Sequence, residues 1–155
     1  MYPISGFLLT RQWRDNQGVD LTFWAHSTAG PLRLVFPHQQ AVCFIERNVD
    51  FATAPHAMRK PLNLYTPNGD EVDALYFQKQ RDLQQFREQR GHICLYESDV
   101  KVHDRFLMER FITTSFEALG ETIQRSGYLE MVNPRLRPTV FEPSFTYLSL
   151  DIETD

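Results

Sequence analysis

Apolar and polar residues alternate through most of the opening third of the chain, which is the pattern of strands that bury one face. Two such runs, 6–15 and 19–28, flank the turn signal Asn16-Gln17-Gly18 and predict a hairpin. Two further runs follow at 30–37 and 40–46. The opening third is therefore predicted to be a four-stranded β meander.

The hydrophobic period changes in the middle third. Residues 50–63 mix polarities and contain two prolines, so they predict a loop or a short helix. After a turn signal, residues 72–78 predict a short strand. The next residues, 79–90, predict a polar helix with a narrow apolar face, which Gly91 is placed to end. A buried strand is then predicted at 92–97, and strand, helix and strand together make a small βαβ unit.

Helical spacing of apolar residues returns in the last third, within 103–111, and predicts a second helix. Residues 116–123 and 128–136 then predict a β ribbon that turns at Ser126-Gly127. The final run, 145–152, alternates like a strand. No internal repeat is present, so the pattern as a whole favours one compact α+β domain.

Composition and charge narrow the class of protein. The chain has 155 residues, of which 42% are hydrophobic and 23% charged, as in a folded globular domain. No apolar run approaches the roughly 20 residues that span a bilayer, and the first residues lack the pattern of a signal peptide. Cys43 and Cys94 have no metal-site spacing, and we expect buried free thiols in a reducing cytoplasm.

The net charge argues against a strong nucleic-acid binder. It is −4, and removal of Asp151, Glu153 and Asp155 leaves 17 acids against 16 Lys and Arg, so that residues 1–150 carry about −1. A module that binds nucleic acid tightly by itself is normally basic. We therefore expect any DNA contact to be local and weak.

Two carboxylates at the end of the chain are the main chemical candidates. In a strand, Asp151 and Glu153 would point to the same face, about 7 Å apart. At that spacing their oxygens reach a shared divalent cation, and hard oxygen ligands suit Mg²⁺ or Mn²⁺. The alternative is an exposed acidic strand end without a metal.

The other candidates have plainer explanations. The helix 79–90 carries four basic residues balanced by acids, and a solvated helix face is favoured over a DNA-binding surface. Trp13, Phe23 and Trp24 could stack nucleobases, but core packing is the default. There is no nucleophile elbow and no Gly-rich phosphate loop. No histidine pairs with another His or Cys at ligand spacing; the five are His26, His38, His56, His92 and His103.

Two motifs in order resemble the family B DNA polymerases. Residues 147–154, YLSLDIET, resemble the first exonuclease motif of that family, an Asp-Ile-Glu at the end of the first strand of an RNase H-like 3′–5′ exonuclease domain. Upstream, 96–112, YESDVKVHDRFLMERFI, is similar to the acidic segment and Arg-(Phe/Tyr)-Leu helix that precede that motif. The opening strands and residues 105–138 look particularly like bacterial members, so the resemblance covers nearly the whole chain.

The resemblance implies a fold and a division of the chain. Residues 1–144 would be the amino-terminal domain of a much longer polymerase, with a β-barrel-like part and a small part like an RNA-recognition fold. Residues 145–155 would be the first strand of the exonuclease domain. Asp151 and Glu153 match the metal ligands of the first motif, but the later exonuclease and polymerase motifs are absent, so we expect the 155-residue chain alone to be inactive.

The resemblance also implies the activity and partners of the longer enzyme. It would be a DNA-directed DNA polymerase with proofreading exonuclease, dependent on Mg²⁺ or Mn²⁺ and acting in DNA repair and lesion bypass. Its partners would be primer-template DNA, deoxynucleotides, its own remaining domains and the sliding clamp, with no membrane. This chain would be a scaffold that contacts the single-stranded template. The alternative is a free-standing module that binds nucleic acid or protein without catalysis.

Overall fold

The structure, a computed structural model, describes residues 2–50 and 57–153 of the chain. The described part contains two β-sheets and two α-helices. The strands are β1 Ile4–Asp15, β2 Val19–Ser27, β3 Gly30–Gln39, β4 Ala41–Glu46, β5 Ala57–Tyr65, β6 Glu71–Phe77, β7 Ser115–Leu119, β8 Ile123–Gln124, β9 Leu129–Val132 and β10 Arg135–Pro138. The helices are α1 Gln80–Gln89 and α2 Val102–Met108.

The large sheet has seven strands in the order β10-β7-β1-β2-β3-β9-β8. Its pairs are antiparallel except for β3 and β9, which are parallel. One face of this sheet buries the main core. That core includes Leu21, Phe23, Leu34 and Phe116, and α2 adds Phe106 and Leu107 to it. We call this the inner face, and the opposite side of the same sheet the outer face.

The small sheet has the antiparallel order β4-β6-β5, and α1 packs against β4 and β6. Its core contains Cys43, Ile45, Leu75 and Phe77 from the strands and Leu83 from the helix. Two sheets with separate cores therefore divide the described chain. A mixed α+β fold is confirmed, with the sheets predominating.

The turn between β1 and β2 joins the two sheets. Asp15 accepts hydrogen bonds from the backbone N–H groups of Gln80 (2.9 Å) and Arg81 (3.1 Å), the first residues of α1. The side chain of Gln78 donates to the carbonyl of Gln17 at 2.6 Å. Asp15, at the end of β1 in the large sheet, thus satisfies free N–H donors at the N-terminus of α1, which packs on the small sheet.

Several predicted elements are confirmed. β1, β2 and β3 form the predicted meander, and the fourth strand, β4, exists but leaves the large sheet to begin the small one. Both helices are present. Gly91 follows α1 with φ +61°, the left-handed conformation expected just beyond a helix end.

The prediction of a loop or a short helix at 50–63 is wrong for residues 57–63. Residues 51–56 lie outside the described residues, and 57–63 belong to β5. Pairing with β6 outweighs the local signal of Pro61, which lies where the register between the two strands shifts.

The second strand of the predicted βαβ unit is not formed. Within 92–97 only Tyr96 makes a bridge, antiparallel to Phe44. Ile93 and Leu95 pack instead against the core beneath α1. The apolar pattern there reflects side-chain packing of an extended segment rather than strand pairing.

The β ribbon is confirmed only in part. β8 and β9 pair around Ser126-Gly127, but over two residue pairs. β7 instead pairs with β1 and β10, because the large sheet gives this strand two neighbours.

None of the helices in the described part is long and apolar enough to cross a membrane.

The strand predicted at 145–152 is absent from the structure. This segment has no regular secondary structure, and Tyr147, Leu148, Leu150 and Ile152 are each at least 80% exposed. A strand requires a neighbour for its backbone hydrogen bonds, and residues 145–152 pair with none of the strands in the described part of the chain. The division of the chain at residue 144 stays a prediction.

Candidate metal ligands and nucleic-acid interface

Asp151 and Glu153 are exposed to solvent at the end of the described chain. No group of three or more His, Cys, Asp or Glu side chains suited to a metal ion occurs in ranges 2–50 and 57–153. Two exposed carboxylates on an irregular segment do not hold a cation in a defined geometry. The assignment of Asp151 and Glu153 as metal ligands therefore stays a prediction.

The three aromatic residues of the first hairpin have different environments. Phe23 is fully buried, and its ring stacks on that of Phe106 at 5.8 Å. Trp13 lies opposite the buried Leu21, so it belongs to the inner face, although it is 38% exposed. Core packing is confirmed for Phe23, while Trp24 points to the outer face.

Trp24 is the centre of a polar and aromatic cluster on the outer face. Its ring meets that of Tyr128 edge to face at 4.9 Å. The guanidinium of Arg33, opposite Trp24 on β3, lies 5.9 Å from the Trp24 ring centroid. Cations over an indole ring are attracted by its negative face.

Two arginines share the carboxylate of Glu130 beside this cluster. Arg125 donates to Glu130 at 2.7 Å and Arg33 at 3.0 Å. The hydrogen bond from Arg125, followed by the charges of both arginines, outweighs the effect of burial and lowers the pKa of Glu130. The carboxylate of Glu130 is therefore ionised, and its negative charge balances one of the two arginine charges. The group of Arg33, Arg125 and Glu130 keeps one net positive charge.

A second aromatic group continues along the outer face. Phe7 lies opposite His26 on the neighbouring strand. The ring of Phe145 contacts both, at 5.7 Å from Phe7 and 5.9 Å from His26, and Tyr147 contacts Phe145 at 6.2 Å. The carboxyl-terminal segment thus crosses this face, and Ser115 fixes it by donating to the carbonyl of Phe141 at 2.8 Å.

The remaining candidates agree with their plainer explanations. Leu83 of α1 is buried and Arg81 is 69% exposed in its side chain, as on a solvated helix with one apolar face. His103 is buried, with Nδ1 at 3.1 Å from Asp104, whereas His56 lies outside the described residues. Both cysteines are free; the prediction of buried thiols is correct for Cys43 and wrong for Cys94, which is exposed.

Two features were missed by reasoning from the sequence. An open cleft of about 880 Å³ lies between the sheets, and its lining residues, which include Gln17, Gln39, Met58 and Tyr76, are far apart in the chain. The arginines of the outer face were also missed, because strand order rather than spacing brings them together. The alternation of β2 and β3 was the signal available for Trp24 and Arg33.

The chain is similar to known polymerases in sequence and in fold. The family described as DNA polymerase II, N-terminal, matches residues 6–40. DNA polymerase II of Escherichia coli (strain K12) is 35% identical over 161 aligned residues, which include 97% of this chain and 20% of that protein. The chain thus spans about a fifth of the length of this relative. The structure of the family B DNA polymerase from the archaeon Pyrobaculum calidifontis matches with a TM-score of 0.67 at 12% identity, over 90% of this chain and 21% of that one, and shows the same fold.

Proposed function

This chain is an amino-terminal domain of the DNA polymerase II family, and we propose that it serves a longer DNA-directed DNA polymerase as a non-catalytic domain. The observation that carries this proposal is the 35% identity to a DNA polymerase II over almost the entire chain.

The longer enzyme would extend primers on a DNA template and proofread them with a 3′–5′ exonuclease. Family B polymerases depend on divalent metals, and Mg²⁺ or Mn²⁺ would be held by the remaining domains. We also propose a role in DNA repair and lesion bypass, and the sliding clamp as a partner. A cytoplasmic location is a further proposal, and the two free cysteines support it.

Asp151 and Glu153 would act only when the rest of an exonuclease site surrounds them. Hydrogen-bonded strands on either side would straighten residues 145–152 and bring both carboxylates to one face. Carboxylates from later parts of the enzyme would then complete the ligand set for the metal ions, which supply Lewis-acid chemistry for phosphodiester hydrolysis. The contribution of this chain is to hold two of the negatively charged ligands.

The test uses the longer polymerase that carries this chain as its amino-terminal domain. Replacing Asp151 and Glu153 by alanine should lower degradation of single-stranded DNA by about 100-fold or more, because metal ligands are lost. Primer extension should remain. The matched control is Glu142→Ala, an exposed carboxylate in the same segment that should leave both activities unchanged. Full exonuclease activity in the double variant would refute the ligand assignment.

A further inference from the structure

We propose that Phe145 is a positioning residue, whose ring anchors the carboxyl-terminal segment to the outer face and so restricts where Asp151 and Glu153 can lie. This inference rests on the proposed function, because it matters to catalysis only if those carboxylates belong to an exonuclease site. It adds to that function a residue that acts through the position of others. The observations that carry it are the contacts of the Phe145 ring and the change in exposure that follows it.

The Phe145 ring lies across two neighbouring strands of the large sheet. Phe7 on β1 and His26 on β2 are direct partners in the strand register. The Phe145 ring meets that of Phe7 edge to face at 5.7 Å, with 72° between the planes, and lies 5.9 Å from the His26 ring. Edge-to-face contacts of aromatic rings are favourable beyond the apolar area that they bury. One side chain of an irregular segment thus contacts two residues whose positions the sheet fixes.

The exposure of the apolar side chains changes directly after this contact. Phe145 is 37% exposed, whereas Leu148, Leu150 and Ile152 are each at least 80% exposed. Tyr147 contacts the Phe145 ring at 6.2 Å but is itself 86% exposed. Phe145 is therefore the last large apolar residue of the described chain that is more than half covered.

Anchoring at Phe145 shortens the free chain that carries the carboxylates. Asp151 follows Phe145 by six residues. Ser115 attaches the segment earlier, by donating to the carbonyl of Phe141 at 2.8 Å, ten residues before Asp151. An extended chain spans at most about 3.5 Å per residue, so loss of the anchor would lengthen the reach of Asp151 from about 21 Å to about 35 Å.

A longer reach dilutes the carboxylates at any one place. The effective concentration of a group on a flexible tether falls roughly as the −3/2 power of the tether length, which gives a decrease of about twofold here. The volume within reach of a stiff tether grows as the cube of its length, which gives about fivefold. Catalytic ligands must lie within about 0.5 Å of their productive positions, so a wider range of positions has to be searched before the site forms.

The first test measures the anchor itself, by NMR on the 155-residue chain. Backbone amide heteronuclear NOE values report motion on the picosecond-to-nanosecond scale, and we expect strand-like values through Phe145 and low values from Leu148 onward. In Phe145→Ala the low values should extend back to Glu142, and the ring signals of His26 should shift because the neighbouring ring is lost. Val140→Ala is the matched control, since it removes an apolar side chain that is 89% exposed just before this segment.

The second test measures the consequence, in the longer polymerase that carries this chain. Phe145→Ala should lower kcat for degradation of single-stranded DNA by about two- to fivefold, with KM and primer extension unchanged. Phe145→Tyr, which keeps the ring, should retain wild-type degradation, as should Val140→Ala. Phe7→Leu removes the partner ring and should give a similar decrease, and its combination with Phe145→Ala should give no larger one, because both changes break one contact. Thermal melting confirms that each variant is folded.

An ordered segment through Phe145, with a selective decrease of degradation in Phe145→Ala, supports the proposal. It is overturned if residues 142–147 of the unaltered chain are as mobile as those that follow, or if Phe145→Ala degrades DNA as fast as Val140→Ala. It is also overturned if Phe145→Ala lowers primer extension equally. These results would leave the ligand assignment standing, provided that the double alanine variant of Asp151 and Glu153 is inactive in degradation. If that double variant remains active, the ligand assignment and the positioning role of Phe145 both fail.

Discussion

Asp73 is a buried carboxylate that two arginines share. Its Oδ1 accepts from Nε of Arg47 at 2.8 Å and its Oδ2 from Nε of Arg59 at 2.7 Å, and only 6% of the residue is exposed. Burial alone would raise the pKa of Asp73, but the hydrogen bonds from Arg47 and Arg59 outweigh it and lower that pKa. The two arginines also donate to carbonyls of Leu62 and Val49, so the cluster ties neighbouring segments to the small sheet.

The lowered pKa of Asp73 makes stability depend on pH. An aspartate whose pKa is lower in the folded state stabilises that state above its unfolded pKa of about 3.9, and this contribution disappears as pH falls through the folded pKa. We expect Asp73→Asn to lower the free energy of unfolding at neutral pH and to flatten its dependence on pH below about 5. Urea titrations across this range measure both effects.

Other carboxylates also contribute to the pH dependence of stability, and an exposed one provides the control for this measurement. Asp104 and Glu130 also have lowered pKa values, so some acid sensitivity should remain in Asp73→Asn. Glu121→Gln removes an exposed carboxylate and should follow the wild-type curve. A pH dependence of Asp73→Asn as steep as that of the wild type would show that the ion pairs of Asp73 do not stabilise the fold.

Single residues were predictable where local alternation alone determines their environment. Phe23 is buried because β2 alternates without a break from Val19 to Ser27. Cys94 is exposed although it lies in an apolar run, because that run does not become a strand. The pairing of Glu130 with Arg33 depends on the parallel contact of β3 with β9, which no local pattern encodes.

At the scale of elements, α1 depends on a cap from another part of the chain. The residue before α1 is Lys79, whose side chain has no acceptor and makes no cap. Asp15 takes this role from the end of β1, where it also offers negative charge to the positive end of the helix. The helix and the large sheet are therefore coupled through one side chain.

Asp15→Ala should lower the free energy of unfolding by about 1 to 2 kcal/mol, the usual effect of losing a helix cap. Urea unfolding monitored by circular dichroism measures the change. Glu121→Ala, which removes an exposed carboxylate from a loop, should change it by less than about 0.5 kcal/mol. Equal unfolding free energies for Asp15→Ala and wild type would contradict a role for Asp15 in joining the sheets.

Element prediction succeeded where strands pair with their neighbours in sequence and failed where distant pairing decides. β1 to β3 and both helices follow from local pattern. β5 forms despite its proline because β6 offers a partner, whereas 145–152 remains irregular although its alternation is regular. A strand is stabilised by its neighbour, and the sequence of one segment does not state whether a neighbour is present.

At the scale of the whole molecule, the described residues form two sheets, each with its own hydrophobic core. The similarity of the chain to a DNA polymerase II extends over nearly all of its own length but over only about a fifth of the length of that relative. The two carboxylates with the clearest chemical motif, Asp151 and Glu153, are exposed and without further acidic partners in the described part. Under the proposed function, their chemistry depends on groups from the rest of the longer enzyme.

The most direct measurement is an activity assay of the purified 155-residue chain. It is incubated with primer-template DNA and deoxynucleotides, and separately with single-stranded DNA, in Mg²⁺ and in Mn²⁺. The account predicts neither primer extension nor degradation with either metal. Robust degradation of single-stranded DNA that is lost in Asp151→Ala would contradict it, because the chain would then hold a working metal centre by itself.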